Sequence, residues 1–239
     1  MPISVSLADA ARTIIHAPAP VLLVDTSALL DVIRAPQRRE IRHAVIEAAI
    51  VLHDKVTAVP PQLWVVVAPF VPKEWDDHVD ATVASLAAHI RTVDEHIITL
   101  AQVAHLATPD TAVPAVMFAS LQLPAYLRSR AQALLNVALL LEEDLTCIIR
   151  ARHRVIQDTP PASKGKGEFK DCEIIEHYLA LCRALQGHGF APRRVFVTAN
   201  RNDYCAEPER SKLHPILTAE FDAAGLRYAA DFAWANGLL

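Results

Sequence analysis

Four acidic residues spread along the chain, Asp25, Glu74, Asp171 and Asp203, stand where carboxylates can be gathered for metal-assisted chemistry. Asp25 ends the apolar run VLLVD at 21–25. Glu74 lies a few residues beyond a second run, QLWVVVA at 62–68. Asp171 falls in the first turn of a helix expected over 168–186, and Asp203 follows a third run, RVFVT at 194–198. In an open parallel sheet, sites form beyond the carboxyl ends of the strands, so one sheet edge is expected to collect these four acids. Crowded carboxylates repel and raise one another's pKa values. A divalent cation removes that penalty, and Mg²⁺ and Mn²⁺ prefer oxygen ligands. Such ions activate water toward phosphorus and stabilise a leaving oxygen. Taken singly, each acid has a plainer role. Asp25 could cap a helix, Glu74 and Asp171 could be favourable first-turn charges, and Asp203 could be a turn residue. The chemical reading rests on their joint placement.

The elements that must position these acids alternate between strand and helix. The run at 21–25 reads as a buried parallel strand, and Thr26 or Ser27 can cap the helix after it. Ile41, Val45, Ala48 and Leu52 recur at helical spacing over 38–53. From Trp75 the apolar positions Val79, Val83, Leu86, Ile90, Val93, Ile97, Leu100 and Ala104 alternate in steps of three and four, which predicts one long amphipathic helix. Prolines punctuate 108–124. The same periodicity predicts a second long helix over about 125–157, and the two are expected to pair as an antiparallel hairpin. A short helix over 215–224 and a weaker strand, LRYA, close the chain. Apolar strands alternating with helices predict an α/β fold in three α/β/α layers around a mostly parallel sheet. The hairpin at about 80–160 is read as an insertion into a single domain.

Composition narrows the function classes. The chain has 239 residues, 52% of them hydrophobic, which supports one substantial core. The net charge of −4 does not suit a protein that coats nucleic acid through overall basicity. Contact with a polyanion would need a local cationic patch. Cys147, Cys172, Cys182 and Cys205 form no CxxC pair and read as reduced, buried thiols, which suits a cytoplasm. The start, MPISVSLADAARTIIH, lacks the basic and apolar regions of a secretory signal. The eleven histidines show no HExxH or paired spacing and are read as packing or solvated residues.

VLLVDTSALLD, GEFKDCEIIEHYL and VFVTANRNDY, in that order, resemble the three signature regions of the PIN-domain nucleases, closest to the branch with a KGEFKDC-type segment. The resemblance covers residues 20–80 and 165–235. It implies a compact α/β/α fold with Mg²⁺ or Mn²⁺ in an acidic pocket. It also implies hydrolysis of single-stranded RNA, often as the toxin of a toxin–antitoxin pair, and dimerisation is common in the family. The site residues it implies are Asp25, Asp171 and Asp203 as metal ligands, with Glu74 as the second acid that opens the helix after the second strand. Thr198 and Asn200 sit where the family has a hydroxyl and a polar or acidic residue near the metal, and Ser27 is counted with them as a supporting residue. Were the second strand VTAVP instead, the acid position would fall near Val66, with Asp76, Asp77, Glu40 and Glu47 as substitutes.

Substrate phosphates need cationic partners outside the acidic pocket. Lys164, Lys166 and Lys170 precede Asp171 and are the preferred set. Arg201, with Arg193 and Arg194, flanks the third strand, and Arg150, Arg152 and Arg154 form a further run. GKGEFKD lacks the GxxxxGK[ST] spacing of a nucleotide-phosphate loop. A dehalogenase-type phosphatase would carry a DxD start, but the sequence is Asp25-Thr26-Ser27. A PIN-like scaffold that binds RNA or protein without catalysis is the remaining alternative.

Overall fold

The structure, a computed structural model, describes residues 3–38, 43–108, 117–162, 169–206 and 212–239. In chain order the elements are β1 (Ile3–Val5), α1 (Leu7–His16), β2 (Val21–Val24), α2 (Thr26–Arg34), a 3-10 turn (Ala35–Gln37), α3 (His43–Thr57), β3 (Trp64–Val67) and α4 (Phe70–Ala107). A second 3-10 turn (Phe118–Leu121) leads to α5 (Leu123–Asn136), β4 (Leu139–Leu141), α6 (Leu145–Ile156) and α7 (Phe169–Gly187). The chain ends with β5 (Arg194–Val197), α8 (Arg201–Tyr204), α9 (Pro215–Ala224), β6 (Leu226–Ala229) and α10 (Phe232–Leu238).

The six strands form one parallel sheet in the order β1-β4-β3-β2-β5-β6. Helices α1, α6, α7 and α9 pack together on one face, and α2, α3, α4, α5 and α10 on the other. This is the expected three-layer α/β/α arrangement. β2 lies at the centre with both faces covered, so all four of its residues, Val21, Leu22, Leu23 and Val24, are buried. Each such side chain contributes roughly 1.5–3 kcal/mol of apolar transfer. The same double burial explains why β2, β3 and β5 read as continuous apolar runs rather than alternating ones.

Register aligns the carboxyl ends of the central strands. Val24 pairs with Val67 on one side and Val197 on the other. Asp25, Ala68 and Thr198 therefore stand abreast, one residue past three adjacent strand ends. There the strand ladder stops, and Tyr178 of α7 takes over its bonding. Its hydroxyl donates to Val24 O at 2.6 Å and accepts from Ala68 N–H at 3.0 Å. Asp171 lies seven residues earlier on α7, two helical turns away on the same face. Pinning Tyr178 to the strand ends thus aims Asp171 at the same edge.

The predicted second long helix is not continuous. It is divided into α5 and α6 by β4, which joins the sheet between β1 and β3. Leu139–Leu141 sits in a Leu-rich stretch of high helix propensity, but the open side of β3 offers backbone partners and a buried environment, and tertiary context overrides propensity. The hairpin that does form pairs α4 with α5. Trp75 Nε1–H donates to Gln132 Oε1 at 2.6 Å, and Arg128 meets Asp80 at 2.7 Å. Buried Asp94 accepts the backbone N–H groups of Phe118 and Ala119, each at 2.8 Å, satisfying the start of the 3-10 turn. No helix among the described residues is long and apolar enough to cross a membrane.

Two of the candidate cationic runs serve the fold. Arg194 is buried and donates to Gly225 O and Cys182 O. Arg154 is buried in an ion-pair network with Glu176 and Glu220. Neither guanidinium faces an open phosphate site. Arg193 donates to Leu238 O, while Arg150 and Arg152 are exposed on α6.

Candidate functional site

A polar cleft of about 390 Å³ opens at the carboxyl edge of the sheet. It is lined by Asp25, Thr26, Ser27, Leu30, Arg34, Arg38, Glu74, His78, Asp171, Ala199 and Asn200. Three of the four predicted acids, drawn from β2–α2, α4 and α7, therefore face one space. Asp203 does not line it. It is half-buried on the short helix α8, whose preceding residues Ala199 and Asn200 reach the cleft instead.

Asp25 is 3% exposed. Its Oδ2 accepts the Thr198 hydroxyl at 2.7 Å and the Ser27 hydroxyl in a short bond. Ala199 N–H donates to Ser27 Oγ at 2.9 Å, and Asn200 N–H to Thr198 Oγ1 at 3.1 Å. Each hydroxyl thus accepts from the loop after β5 and passes its own proton toward Asp25. This chain fixes the carboxylate rotamer and accounts for Ser27 and Thr198 as supporting residues. Burial pushes the Asp25 pKa up, the Ser27 and Thr198 hydrogen bonds pull it down, and the neighbouring charge of Glu74 pushes it up again.

Glu74 lies in the second turn of α4, because the second strand is Trp64–Val67. VTAVP at 56–60 is the end of α3 and the turn after it, so the alternative strand placement is excluded. Thr26 Oγ1 donates to Glu74 Oε2 at 2.9 Å, and Lys170 Nζ stands 3.8 Å from Oε1. Of the substitute acids, Asp77 pairs with Lys73 at 2.7 Å, Asp76 and Glu47 are exposed, and Glu40 lies outside the described residues. The Asp171 Oδ1 and carbonyl oxygens both lie near the buried Tyr204 hydroxyl, at 3.4 and 3.3 Å.

The donor chemistry is that of hard oxygen: carboxylates, hydroxyls and an amide. Among the described residues, no three His, Cys, Asp or Glu side chains converge closely enough to enclose a metal. The residues present do not make a closed cage. They do fit a cation such as Mg²⁺, which keeps several waters and takes only one or two carboxylates directly. Asp25 and Glu74, which act on one another electrostatically, are the pair best placed for this, with Asp171 facing the same space.

Of the proposed cationic partners, Lys170 reaches the rim beside Glu74. Arg201 is half-buried and acts on Tyr228 rather than lining the cleft. Lys164 and Lys166 lie outside the described residues. The cations in the cleft wall are Arg34 and Arg38, which sequence reasoning did not select. Part of their signal was available: Ser27, Leu30 and Arg34 follow in steps of three and four on one face of α2, and Arg38 comes four residues later, past the 3-10 turn.

A second group of polar residues lies beyond the end of β4. His177 is fully buried, with Nδ1 at 2.9 Å from Glu173 O and Nε2 accepting from Asp144 N–H at 3.1 Å. These partners require neutral imidazole protonated on Nδ1, and burial lowers its pKa accordingly. Glu173 is 2% exposed, and its Oε1 has no hydrogen-bond partner. Burial, with help from the Glu143 charge, pushes its pKa up to about 7. A carboxyl raised above its unfolded value adds stability that is fully present below about 4.5 and lost as pH rises through about 7. Glu173→Gln is therefore expected to raise stability by about 1–3 kcal/mol at pH 8 and by much less at pH 5. Urea unfolding at both pH values checks this, and an equal effect at both would contradict it.

The four cysteines are buried and not disulfide-bonded, and burial pushes Cys147 and Cys182 up to about 12, which leaves those two unreactive. Comparison of the chain with family models, curated proteins and solved structures finds no match.

Proposed function

We propose that this cleft hydrolyses phosphodiester bonds of single-stranded RNA with Mg²⁺ or Mn²⁺. The observation that carries the reading is the meeting of Asp25, Glu74 and Asp171 in one polar cleft at the carboxyl edge of a parallel sheet. The order and settings of the three PIN-like sequence regions support RNA as the polymer. By the same resemblance, an antitoxin-type protein and a second copy of the chain are the partners to seek.

The chain's own residues have distinct tasks. Ser27 and Thr198 keep their protons on Asp25 Oδ2 and so hold that carboxylate in one rotamer. Thr26 does the same for Glu74 Oε2, which turns Oε1 toward Lys170 and the cleft. Glu74 Oε1 is then the atom that orients a water and accepts its proton as the phosphorus–oxygen bond forms. Asp171 and Asn200 complete the polar lining of the cleft. When bound between the acids, a divalent ion would activate the nucleophile and offset charge developing on the phosphate. The bond that breaks is the phosphorus–oxygen bond to the leaving nucleoside, whose oxygen takes a proton from solvent.

A non-catalytic scaffold is the second reading. It is favoured because, among the described residues, no three His, Cys, Asp or Glu side chains lie close enough together to enclose a metal, and because Asp203 does not line the cleft. Calorimetric titration with Mn²⁺ separates the two. The nuclease is expected to bind Mn²⁺ and to lose at least about tenfold in affinity in Asp171→Asn. Folded protein that binds no Mn²⁺ would establish the scaffold.

A further inference from the structure

The acid-lined cleft continues along α2 to a basic end. Arg34 closes α2, and Arg38 follows the 3-10 turn; both line the same cleft as Asp25, Glu74 and Asp171. Neither is a freely waving surface cation. Arg34 Nη2 donates to the hydroxyl of Thr82, a buried residue of α4, at 3.4 Å. Arg38 pairs with Asp31, whose side chain is 6% exposed. Gln37 and Ser85 join the turn to α4 at 3.4 Å. The guanidinium groups are thus held on one wall, and a planar fork anchored on one side keeps other N–H donors for a ligand.

Separation determines what such a ligand must be. Nine residues of helix place the Arg34 backbone about 13 Å from that of Asp25, where Arg34 meets Thr82 of α4, and Arg38 reaches back to Asp31 of α2. A single phosphate is too small to touch both ends at once. Successive phosphates of one strand advance by at least about 3.4 Å each, so the flanking phosphates of a strand that runs down the cleft can reach the arginines.

We infer that Arg34 and Arg38 form a second phosphate-binding locus, which grips a strand beside the bond to be cut. Asp31 and Thr82 act on it as positioning residues. This inference rests on the nuclease reading and deepens it: the preferred ligand is a polynucleotide strand, and a phosphomonoester fills only the acidic end. This cationic wall comes from α2 and the 3-10 turn after it.

The test is binding of a short, labelled, single-stranded oligoribonucleotide in chelator, followed by fluorescence anisotropy across a salt titration. Each phosphate contact to a single strand contributes a slope of about 0.7 in log affinity against log salt. Arg34→Gln, which leaves the Arg38–Asp31 pair intact, is expected to make the slope shallower by about 0.7. Arg34→Gln with Arg38→Gln should make it shallower by up to about 1.4 and weaken binding roughly tenfold at low salt. Arg34→Lys with Arg38→Lys should recover most of the slope, and thermal melts establish that each variant is folded. Identical slopes in wild type and folded glutamine variants would overturn the assignment, as would failure of the wild type to bind at low salt. Because these arms exclude metal and catalysis, the two readings fail separately. Metal-dependent cleavage with unchanged slopes removes only the arginine locus. Arginine-dependent binding without cleavage removes only the nuclease.

Discussion

Asp25→Asn is expected to lower RNA cleavage by at least about 10²–10³-fold while leaving the protein folded. The two effects separate because Asp25 is a poor residue for stability. Its carboxylate is buried at the end of the central strand, and burial and Glu74 both push against its ionised form. Asparagine keeps a side-chain oxygen that can accept from Ser27 and Thr198, and it removes the desolvated charge. Thermal stability should therefore hold or rise, the trade-off expected where a site is built against the fold's interest. Equal cleavage by wild type and Asp25→Asn would show that the buried acid takes no part in the chemistry. A collapse of folding in the variant would show that its charge is structural.

Arg154→Leu is expected to lower stability by about 3–5 kcal/mol. Arg154 donates from Nε to Glu176, from Nη1 to Pro160 O at 2.7 Å, and from Nη2 to Glu220 at 2.7 Å. One guanidinium therefore joins α6, α7, α9 and the turn between α6 and α7. Removing it leaves the buried Glu176 carboxylate without its cation, and that stranded charge carries most of the penalty. Arg154→Leu combined with Glu176→Leu should recover a large part of the loss, since the deeply buried carboxylate is then removed and only the partly exposed Glu220 is left without its cation. Urea unfolding of the single and double variants measures both numbers. A loss below about 1 kcal/mol in the single variant would place the network among marginal surface pairs. The same helices carry Asp171, so loosened packing of α7 should also reduce activity beyond what unfolding explains.

The parts of the fold that could be read from sequence are those whose environment is uniform along the element. β2, β3 and β5 are covered on both faces, so VLLV, WVVV and RVFV stand out as apolar runs. The stripe along α4 stands out for the opposite reason, because one face is buried and the other is wet. β1 and β4 escaped notice on physical grounds. β1 has three residues at a sheet edge, with Ile3 and Ser4 exposed, and no apolar pattern marks it. β4 is embedded in leucines that favour helix equally well, and only pairing with β1 and β3 decides its state. A clue was present nonetheless. LLLEED repeats the apolar-run-then-acid form of VLLVD, and Asp144 caps the next helix by accepting Cys147 N–H at 3.0 Å.

The site divided along the same line. Asp25, Glu74 and Asp171 could be placed because each follows directly from a strand end or a helix start. Asp203 was assigned from its loop, and the single turn of α8 directs Asn200 rather than Asp203 to the cleft. Arg34 and Arg38 are less legible because they lie nine and thirteen residues past Asp25, whereas Lys170 adjoins Asp171 directly. Helix α2 carries Arg34 away from Asp25, and the 3-10 turn after it presents Arg38. Arg154 and Arg194 looked like phosphate ligands by type, and burial makes them structural.

The most direct test of the account is incubation of purified protein with end-labelled single-stranded RNA and DNA, with Mn²⁺ or Mg²⁺ and with chelator, beside Asp171→Asn. The expected result is cleavage of RNA that requires the metal and is lost in the variant. Absence of cleavage by folded protein that also binds no metal would contradict the assignment of this cleft as a nuclease site.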